Sequence, residues 1–231
     1  EEAARKLRYA ALEEEALALQ ADFIVTAHHS DDQAETVLLK LLRGAGTEGL
    51  SGMQVRSGKL LRPLLYLTRE HLERYCQLQN IAYCYDSSND DLHYTRNKIR
   101  KTLLPYLESN YNPSIKKALV RSAEILQEDD ACLNQIAQEK FQALATRTEE
   151  GVVLNVKKWQ ELPAALRKRI LRQAYFLAGG KELSYIHTEA LDVLCLRKTS
   201  GKYLQLPQKM IGFYKRGSLT IGLNKTIVLL P

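Results

Sequence analysis

The stretch that most constrains the fold of this chain is residues 22–52, DFIVTAHHSDDQAETVLLKLLRGAGTEGLSG. The β-branched run at residues 22–27 predicts one buried strand. The apolar spacing that follows predicts an amphipathic helix from Ser30, with Ser30 and Gln33 as a capping box, and this helix ends at Arg43 before a glycine. Because α/β proteins place ligands where a strand leads into a helix, the polar residues between these two elements are the first candidates for function.

The rest of the chain continues to mix helical and strand-like patterns. Four further elements are expected in the first half: a hairpin around Gly58, a helix capped by Thr68, a strand at residues 81–85 and a helix from Tyr94. Beyond them the pattern is mostly helical and closes on strand-like runs with a turn at residues 215–218. The predicted fold class is α/β, with a partial parallel-sheet domain over residues 1–112 and a mainly helical domain with a small β element over residues 113–231.

The positive charge of the chain is concentrated in its second half. Residues 1–112 hold 14 Lys and Arg against 16 Asp and Glu, whereas residues 113–231 hold 19 against 11. Such a basic half is typical of proteins that meet a polyanion, although a solvated basic face gives the same count. No apolar run approaches the roughly 18 residues of a membrane helix. The four cysteines are scattered without C-x-x-C spacing, which favours free thiols in a reducing cytoplasm.

Titratable residues crowd the junction between the predicted strand and helix. Adjacent residues at a strand end point in opposite directions, so His28 and His29 are poorly placed to ligate one ion, and we expect no dedicated metal site. Asp32 and Glu35 are three residues apart and share a helix face near its N-terminus. Two interpretations of this pair stay open at this point. The acids complement the helix dipole, or they form a carboxylate pair that holds a cationic amine.

Two other patterns in the sequence bear on nucleotide or nucleic-acid binding. Residues 44–49 match G-x-G-x-x-G, but they follow a helix rather than a strand, so a dinucleotide site is rejected and a flexible loop is expected. Basic residues cluster on two predicted helices, at residues 96–101 and 167–172. Basic residues within a helical turn can track phosphates, or they can simply form a solvated face.

At these residues the chain resembles the tRNA(Ile)-lysidine synthetases of the N-type ATP-pyrophosphatase (PP-loop) family. That family carries the block H-H-x-D-D-Q-A-E-T-x-L-x-x-L-x-R-G-x-G-x-x-G-L-x-G-M, which matches residues 28–53. The family's R-P-L-L, D-x-S-N and R-N-x-I-R blocks match residues 62–65, 86–89 and 96–100 in the same order. The second half is similar more loosely, through LPAALRKRILRQA and SGKYLQLP.

The resemblance implies part of a PP-loop (adenine nucleotide alpha-hydrolase-like) domain followed by a helical tRNA-binding domain. The family's reaction uses ATP and Mg²⁺ to adenylate the C2 oxygen of the wobble cytidine of isoleucine tRNA with a CAU anticodon. L-lysine then attacks through its side-chain amine, and the resulting lysidine changes decoding from AUG to AUA. On this basis the expected catalytic residues are His29, Asp32, Glu35 and Arg43, with Asp32 and Glu35 binding lysine. The expected tRNA contacts are Arg96, Lys98, Arg100, Lys101, Arg167 and Arg169.

One part of the family pattern does not occur in the sequence. The ATP-binding loop S-G-G-x-D-S is absent, and the sequence does not begin with methionine. We therefore expect an N-terminal truncation, and we expect these 231 residues to be inactive by themselves because the main phosphate cradle is missing. The alternatives are a non-catalytic tRNA-binding fragment and another PP-loop tRNA-modifying enzyme. A cytoplasmic protein without a membrane partner is expected, and a homodimer is left open.

Overall fold

The computed structural model describes residues 2–84 and 90–224, with side chains from residue 6 onward. The chain divides into two compact units, Glu1–Asp130 and Ala131–Pro231. This division falls inside a 30-residue helix. The predicted domain boundary at residues 112 and 113 therefore stays a prediction. Within the described ranges, no helix is both long and apolar enough to cross a membrane.

Unit 1 (Glu1–Asp130) combines helices with a small three-stranded sheet. Its helical elements are α1 (Glu2–Ala18), α2 (Ser30–Leu42), α3 (Thr47–Leu50), α4 (Arg69–Leu78), α5 (Thr95–Lys98), a π-helical turn (Ile99–Leu103), α6 (Leu104–Asn110) and the first part of α7 (Ile115–Leu144). Its strands are β1 (Ile24–Val25), β2 (Arg56–Ser57) and β3 (Leu60–Leu61), in the order β1-β3-β2. Strand β1 is parallel to β3, and β2 is antiparallel to it, which confirms the hairpin around Gly58.

Three local predictions in unit 1 were wrong. The first strand has two residues rather than six, and it is not buried: Val25 is 63% exposed. The capping box lies one residue earlier than predicted, since the backbone N–H of His29 donates to the carboxylate of Asp32. Residues 81–84 form no strand, and Tyr85 lies outside the described residues. An apolar run becomes a strand only where a partner supplies its hydrogen bonds, which short-range spacing does not reveal.

A small apolar cluster fixes how α2 packs in unit 1. Leu38 of α2 contacts Ile99 of the π-helical turn and Leu104 of α6, and all three side chains are buried. Partly buried leucine and isoleucine side chains surround them, namely Leu39, Leu103, Leu107, Ile115 and Leu119. Because Leu38 follows Glu35 by three residues and Ile99 lies between Arg96 and Arg100, this packing turns the acidic face of α2 toward those arginines.

Unit 2 (Ala131–Pro231) is built on a five-stranded antiparallel sheet, larger than the small β element expected. Besides the end of α7, it contains α8 (Val156–Trp159), α9 (Ala164–Leu177), α10 (Tyr185–Arg197), β4 (Ala145–Thr148), β5 (Gly151–Asn155), β6 (Lys202–Leu206), β7 (Met210–Lys215) and β8 (Ser218–Leu223). The strand order is β4-β5-β8-β7-β6, and every neighbouring pair is antiparallel. Trp159, Tyr175 and Leu191 pack in its core with side chains of the sheet.

Candidate functional site

Two acids of α2 and two arginines that follow in the sequence form a connected cluster in unit 1, which we call the acid–arginine cluster (Asp32, Glu35, Arg96 and Arg100). Arg96 donates from Nε to Glu35 at 2.7 Å and from Nη2 to Asp32 at 2.9 Å. Arg100 donates from Nε to Oε1 of Glu35 at 2.5 Å and from Nη2 to Oε2 at 3.0 Å. The same Nη2 atom lies 3.2 Å from Oδ1 of Asp32. The cluster therefore balances two negative charges with two positive charges.

Burial within the cluster is uneven. The side chain of Glu35 is only 2% exposed, whereas those of Arg96 and Arg100 are 22% and 25% exposed. Burial alone would lower the pKa of Arg100, but its hydrogen bond to Glu35 and the charges of both acids raise that pKa above its ordinary value. A buried carboxylate needs such charged partners, because an unpaired buried charge is strongly destabilising. Glu35 is thus the more deeply buried acid of the cluster, and Asp32 is the acid nearer to solvent.

His29 and Asp31 lie at the edge of this cluster. The Nε2 atom of His29 is 3.4 Å from Asp32, and its Nδ1 atom is 3.7 Å from Asp31. Within the described part of the chain, this buried Nδ1 atom has no hydrogen-bond partner. Asp31 accepts a hydrogen bond from the backbone N–H of Arg69 at 2.9 Å and lies 3.4 Å from the ammonium of Lys116. The imidazole therefore stands between two carboxylates, a position that suits proton transfer.

A glycine-rich turn is clamped beside the cluster by two glutamines. The side-chain amide of Gln33 accepts from the backbone N–H of Met53 at 2.7 Å and donates to its carbonyl oxygen at 2.9 Å. Gln127 of α7 donates to the carbonyl oxygens of Ser51 and Met53. Gly52 has φ +69°, and a Cβ atom there would lie 2.6 Å from the amide of Gln33. These contacts hold residues 51–53 in place. The flexible loop expected at residues 44–49 stays a prediction, although its last three residues lie in α3.

The structure does not bring every predicted site residue to the cluster. Arg43 is exposed at the far end of α2, and a 13-residue helix is about 20 Å long. Lys98 is exposed, and Lys101 pairs with Asp90. The tRNA contacts predicted for these lysines, and for Arg96 and Arg100, stay predictions. So does the catalytic role predicted for Arg43, and the D-x-S-N block at residues 86–89 lies outside the described residues.

The two predicted tRNA contacts of unit 2 have different environments. Arg167 makes a two-pronged ion pair with Asp192 of α10 at 2.9 and 3.0 Å, donates to the carbonyl oxygen of Leu162, and lies over the ring of Trp159. Contact with a phosphate would require breaking that ion pair. Arg169 donates to Asn134 at 3.0 Å and is only partly buried. Of this pair, Arg169 is the better candidate for a phosphate contact, and both assignments stay predictions.

Sequence reasoning did not find the ion pairing itself. Asp31 and Lys116 were not proposed as site residues, and Arg96 and Arg100 were not predicted to pair with Asp32 and Glu35. One signal was present. Two acids spaced by three residues and two arginines spaced by four residues each present one helix face, so the faces could have been paired.

Within residues 2–84 and 90–224, the side chains do not fit the phosphates of ATP or a magnesium ion. The sequence contains no S-G-G-x-D-S loop, and residues 26–30 between β1 and α2 contain no glycine whose N–H could approach a phosphate. In the described ranges, no group of three His, Cys, Asp or Glu residues could hold a metal ion. No chemical step through ATP or magnesium is therefore assigned to these residues.

Comparison with known proteins gives a class to this fold and site. Residues 1–107 match a family model described as the PP-loop domain, and residues 154–217 match the TilS substrate binding domain. The chain is thus a PP-loop protein of α/β fold with a second, substrate-binding domain. The acid–arginine cluster lies wholly within the PP-loop match.

The chain is also similar to curated proteins, each of which is a tRNA(Ile)-lysidine synthase. The chain is 39% identical to that of Geobacter sulfurreducens over 216 residues, covering 91% of this chain and 46% of the relative. It is 33% identical to that of Clostridium acetobutylicum, covering 97% and 49%, and 42% identical to that of Leifsonia xyli, covering 84% and 59%. Over most of its length, the chain is therefore similar to tRNA(Ile)-lysidine synthases. It spans about half the length of these relatives.

Proposed function

We propose that the protein is an ATP-dependent ligase that attaches L-lysine to C2 of the wobble cytidine of isoleucine tRNA with a CAU anticodon. ATP and Mg²⁺ supply the activation of the cytidine in that reaction. The residues of this chain act on the amine and on the tRNA. The product would change decoding from AUG to AUA, and its substrates place the protein in the cytoplasm.

The observation that carries this proposal is the acid–arginine cluster. Asp32 and Glu35 lie on one face of α2, inside the segment that matches the PP-loop domain. They are the two acids that the family pattern assigns to the amine of lysine. An ammonium group has three donors and no acceptor, so a site for it needs converging carboxylate oxygens. Asp32 and Glu35 supply these oxygens, and Arg96 and Arg100 each donate hydrogen bonds to both acids.

His29 is proposed as the group that receives a proton from the lysine ammonium. An amine attacks only after deprotonation, and an imidazole near neutral pH is suited to accept that proton. The Nδ1 atom of His29 is buried and has no hydrogen-bond partner among the described residues, so no hydrogen bond within the described structure fixes its protonation. The carboxylates of Asp31 and Asp32 lie beside the imidazole, at 3.7 and 3.4 Å.

The experiment that tests this function is incorporation of labelled lysine by the full-length protein. Isoleucine tRNA with a CAU anticodon should be labelled in the presence of ATP and magnesium. The same tRNA with uridine at the wobble position is the matched control and should stay unlabelled. Absence of label with the CAU tRNA would contradict the proposal.

A second candidate function is tRNA binding without catalysis. It is favoured by the basic second half, which contains 19 Lys and Arg but only 11 Asp and Glu. Binding through phosphates falls steeply as salt rises, because counterions are released. Filter binding of tRNA over a salt series, together with a lysine incorporation assay, separates the two functions. Salt-dependent binding without incorporation would favour this second candidate.

A further inference from the structure

Two oxygens of the acid–arginine cluster, Oε2 of Glu35 and Oδ1 of Asp32, have no acceptor position left for an additional cation. A carboxylate offers about four acceptor positions on its two oxygens. Oε2 of Glu35 accepts from Arg96 and Arg100, and Oδ1 of Asp32 accepts from the same two residues. Oδ2 of Asp32 accepts from the backbone N–H of His29, and Oε1 of Glu35 accepts from Arg100. Each of the four oxygens is thus engaged within the described structure.

One nitrogen of the cluster holds a special position. Nη2 of Arg100 bonds both acids at once, at 3.2 Å from Asp32 and 3.0 Å from Glu35. A single ammonium nitrogen that bridges Oδ1 of Asp32 and Oε2 of Glu35 would have to stand at this place. Arg96 also reaches both acids, but it uses two separate nitrogens, Nε for Glu35 and Nη2 for Asp32.

Arg100 also differs from Arg96 in its backbone. Arg100 lies within the π-helical turn, whereas Arg96 lies in the regular helix α5. Turns of π-helix are rare and occur mostly at functional sites. The side-chain contact of Arg100 with Asp32 is also the longest of the hydrogen bonds that the two arginines donate to the acids. The arginine at the bridging position is therefore also the one with the irregular backbone.

From these contacts we infer that Arg100 is a specificity-determining residue that occupies the amine position, so that a primary ammonium binds Asp32 and Glu35 by displacing Nη2 of Arg100. This inference rests on the proposed function, because it takes these acids as the amine site. Exchange of one cation for another keeps Glu35 paired throughout, which avoids an uncompensated buried charge. A neutral side chain cannot make this exchange, so the device selects for a cationic ligand.

Calorimetric titration of the full-length protein with L-lysine tests the inference, with L-norleucine as the matched ligand that lacks the ammonium group. Arg100→Gln removes the competing nitrogen, and lysine should bind at least fivefold more tightly than to the wild type. Arg96→Gln changes the net charge equally but leaves Nη2 of Arg100 in place. It should therefore strengthen binding less than twofold. Equal strengthening in both variants would reduce the effect to charge and overturn the inference, and so would weaker binding in Arg100→Gln.

A measurement on the wild type keeps the inference testable if Arg100→Gln does not fold. In a ¹⁵N-labelled protein, the Nε–Hε signal of Arg100 should shift when lysine saturates the site, while that of Arg96 keeps its position. Unchanged signals at saturation would overturn the inference. Failure of the proposed function gives a different result. In that case the wild type would bind lysine no better than norleucine, and Asp32→Asn would change the affinity for neither ligand. That result would contradict both the proposed function and the role inferred for Arg100.

Discussion

The two units each contain an arginine–carboxylate cluster, and the clusters differ in what surrounds them. In unit 2, Arg167 and Asp192 form one closed pair, beside Trp159, between helices α9 and α10. In unit 1, Arg96 and Arg100 share two acids, and the arginine side chains keep about a quarter of their surface exposed. The pair in unit 2 is complete, whereas the cluster in unit 1 faces solvent on its arginine side.

This difference separates packing from function for the same chemical groups. A closed ion pair beside an aromatic ring fixes two helices in place, and it offers a ligand nothing to bind. A shared cluster can exchange one of its cations, because the remaining arginine still compensates the buried acid. The local sequence does not distinguish the two cases, since each consists of Arg and Asp or Glu on helices.

The largest effect is expected at the inner acid of unit 1. Glu35→Gln leaves two guanidinium groups without their main partner, and lysine transfer should fall at least about 100-fold, which corresponds to roughly 2.7 kcal/mol. Steady-state kinetics with lysine as the varied substrate measures this. Glu73→Gln, at an exposed ion pair on α4, is the matched control and should leave kcat/KM unchanged. Equal losses in both variants would contradict the role of Glu35.

The next largest effect concerns the closed pair of unit 2. Asp192→Ala leaves Arg167 unpaired and should lower the free energy of unfolding by about 2 kcal/mol, less than for a fully enclosed pair because Arg167 retains some solvent contact. Chemical denaturation measures this change. Glu189→Ala removes the neighbouring pair with Lys168, which is more exposed, and its effect should be clearly smaller. Similar losses for the two variants would show that the closed pair is not special.

A smaller effect separates Arg167 from Arg169 in tRNA binding. Arg169→Gln should weaken tRNA binding a few-fold and reduce the slope of log affinity against log salt by about 1. Arg167→Gln should leave that slope unchanged, because its guanidinium is held by Asp192. Filter binding over a salt series measures both variants, after a melting curve has confirmed that each is folded. A reduced slope for Arg167→Gln alone would reverse the assignment.

The smallest effect is a pH dependence at Asp31. Burial would raise its pKa, but the hydrogen bond from the backbone N–H of Arg69 and the charge of Lys116 lower it below the ordinary value of 3.8. Because the folded-state pKa is the lower one, the ionised carboxylate stabilises the fold above pH ~4, and this contribution is lost as pH falls through the folded-state pKa. Asp31→Asn should therefore cost less than about 1 kcal/mol at pH 7, since the carboxylate is still 20% exposed and solvent weakens its interactions.

Urea denaturation of wild type and Asp31→Asn at several pH values measures this dependence. The difference between the two proteins should shrink as the pH falls below the ordinary pKa of the carboxyl group. A difference that stays constant down to pH 3 would show that Asp31 does not contribute through its charge.

Much of this fold could be predicted from local patterns. The helix from Ser30, the hairpin around Gly58 and the helix capped by Thr68 are all present. Glycine, capping residues and apolar spacing act over a few residues, so one sequence is enough to find them. The acids of α2 were also found from their spacing, together with the resemblance to a family.

The partners of those acids could not be found in the same way. Arg96 and Arg100 lie more than 60 residues after Glu35, and their meeting depends on packing around Leu38 and Ile99. Likewise, Arg167 and Arg169 look equivalent in a basic helix, and only Asp192 on another helix holds Arg167 in a bidentate ion pair. Contacts set by packing between distant elements leave no signal in local spacing.

The central claim is that this part of the protein receives the amine of lysine rather than activating the cytidine. Asp32→Asn in the full-length protein tests it, with AMP release and lysine attachment followed in one reaction containing isoleucine tRNA and ATP. The claim predicts that AMP release stays within about twofold of wild type, while lysine attachment falls at least tenfold, about 1.4 kcal/mol. Equal loss of both activities, or lysine attachment that is unaffected by the substitution, would contradict it.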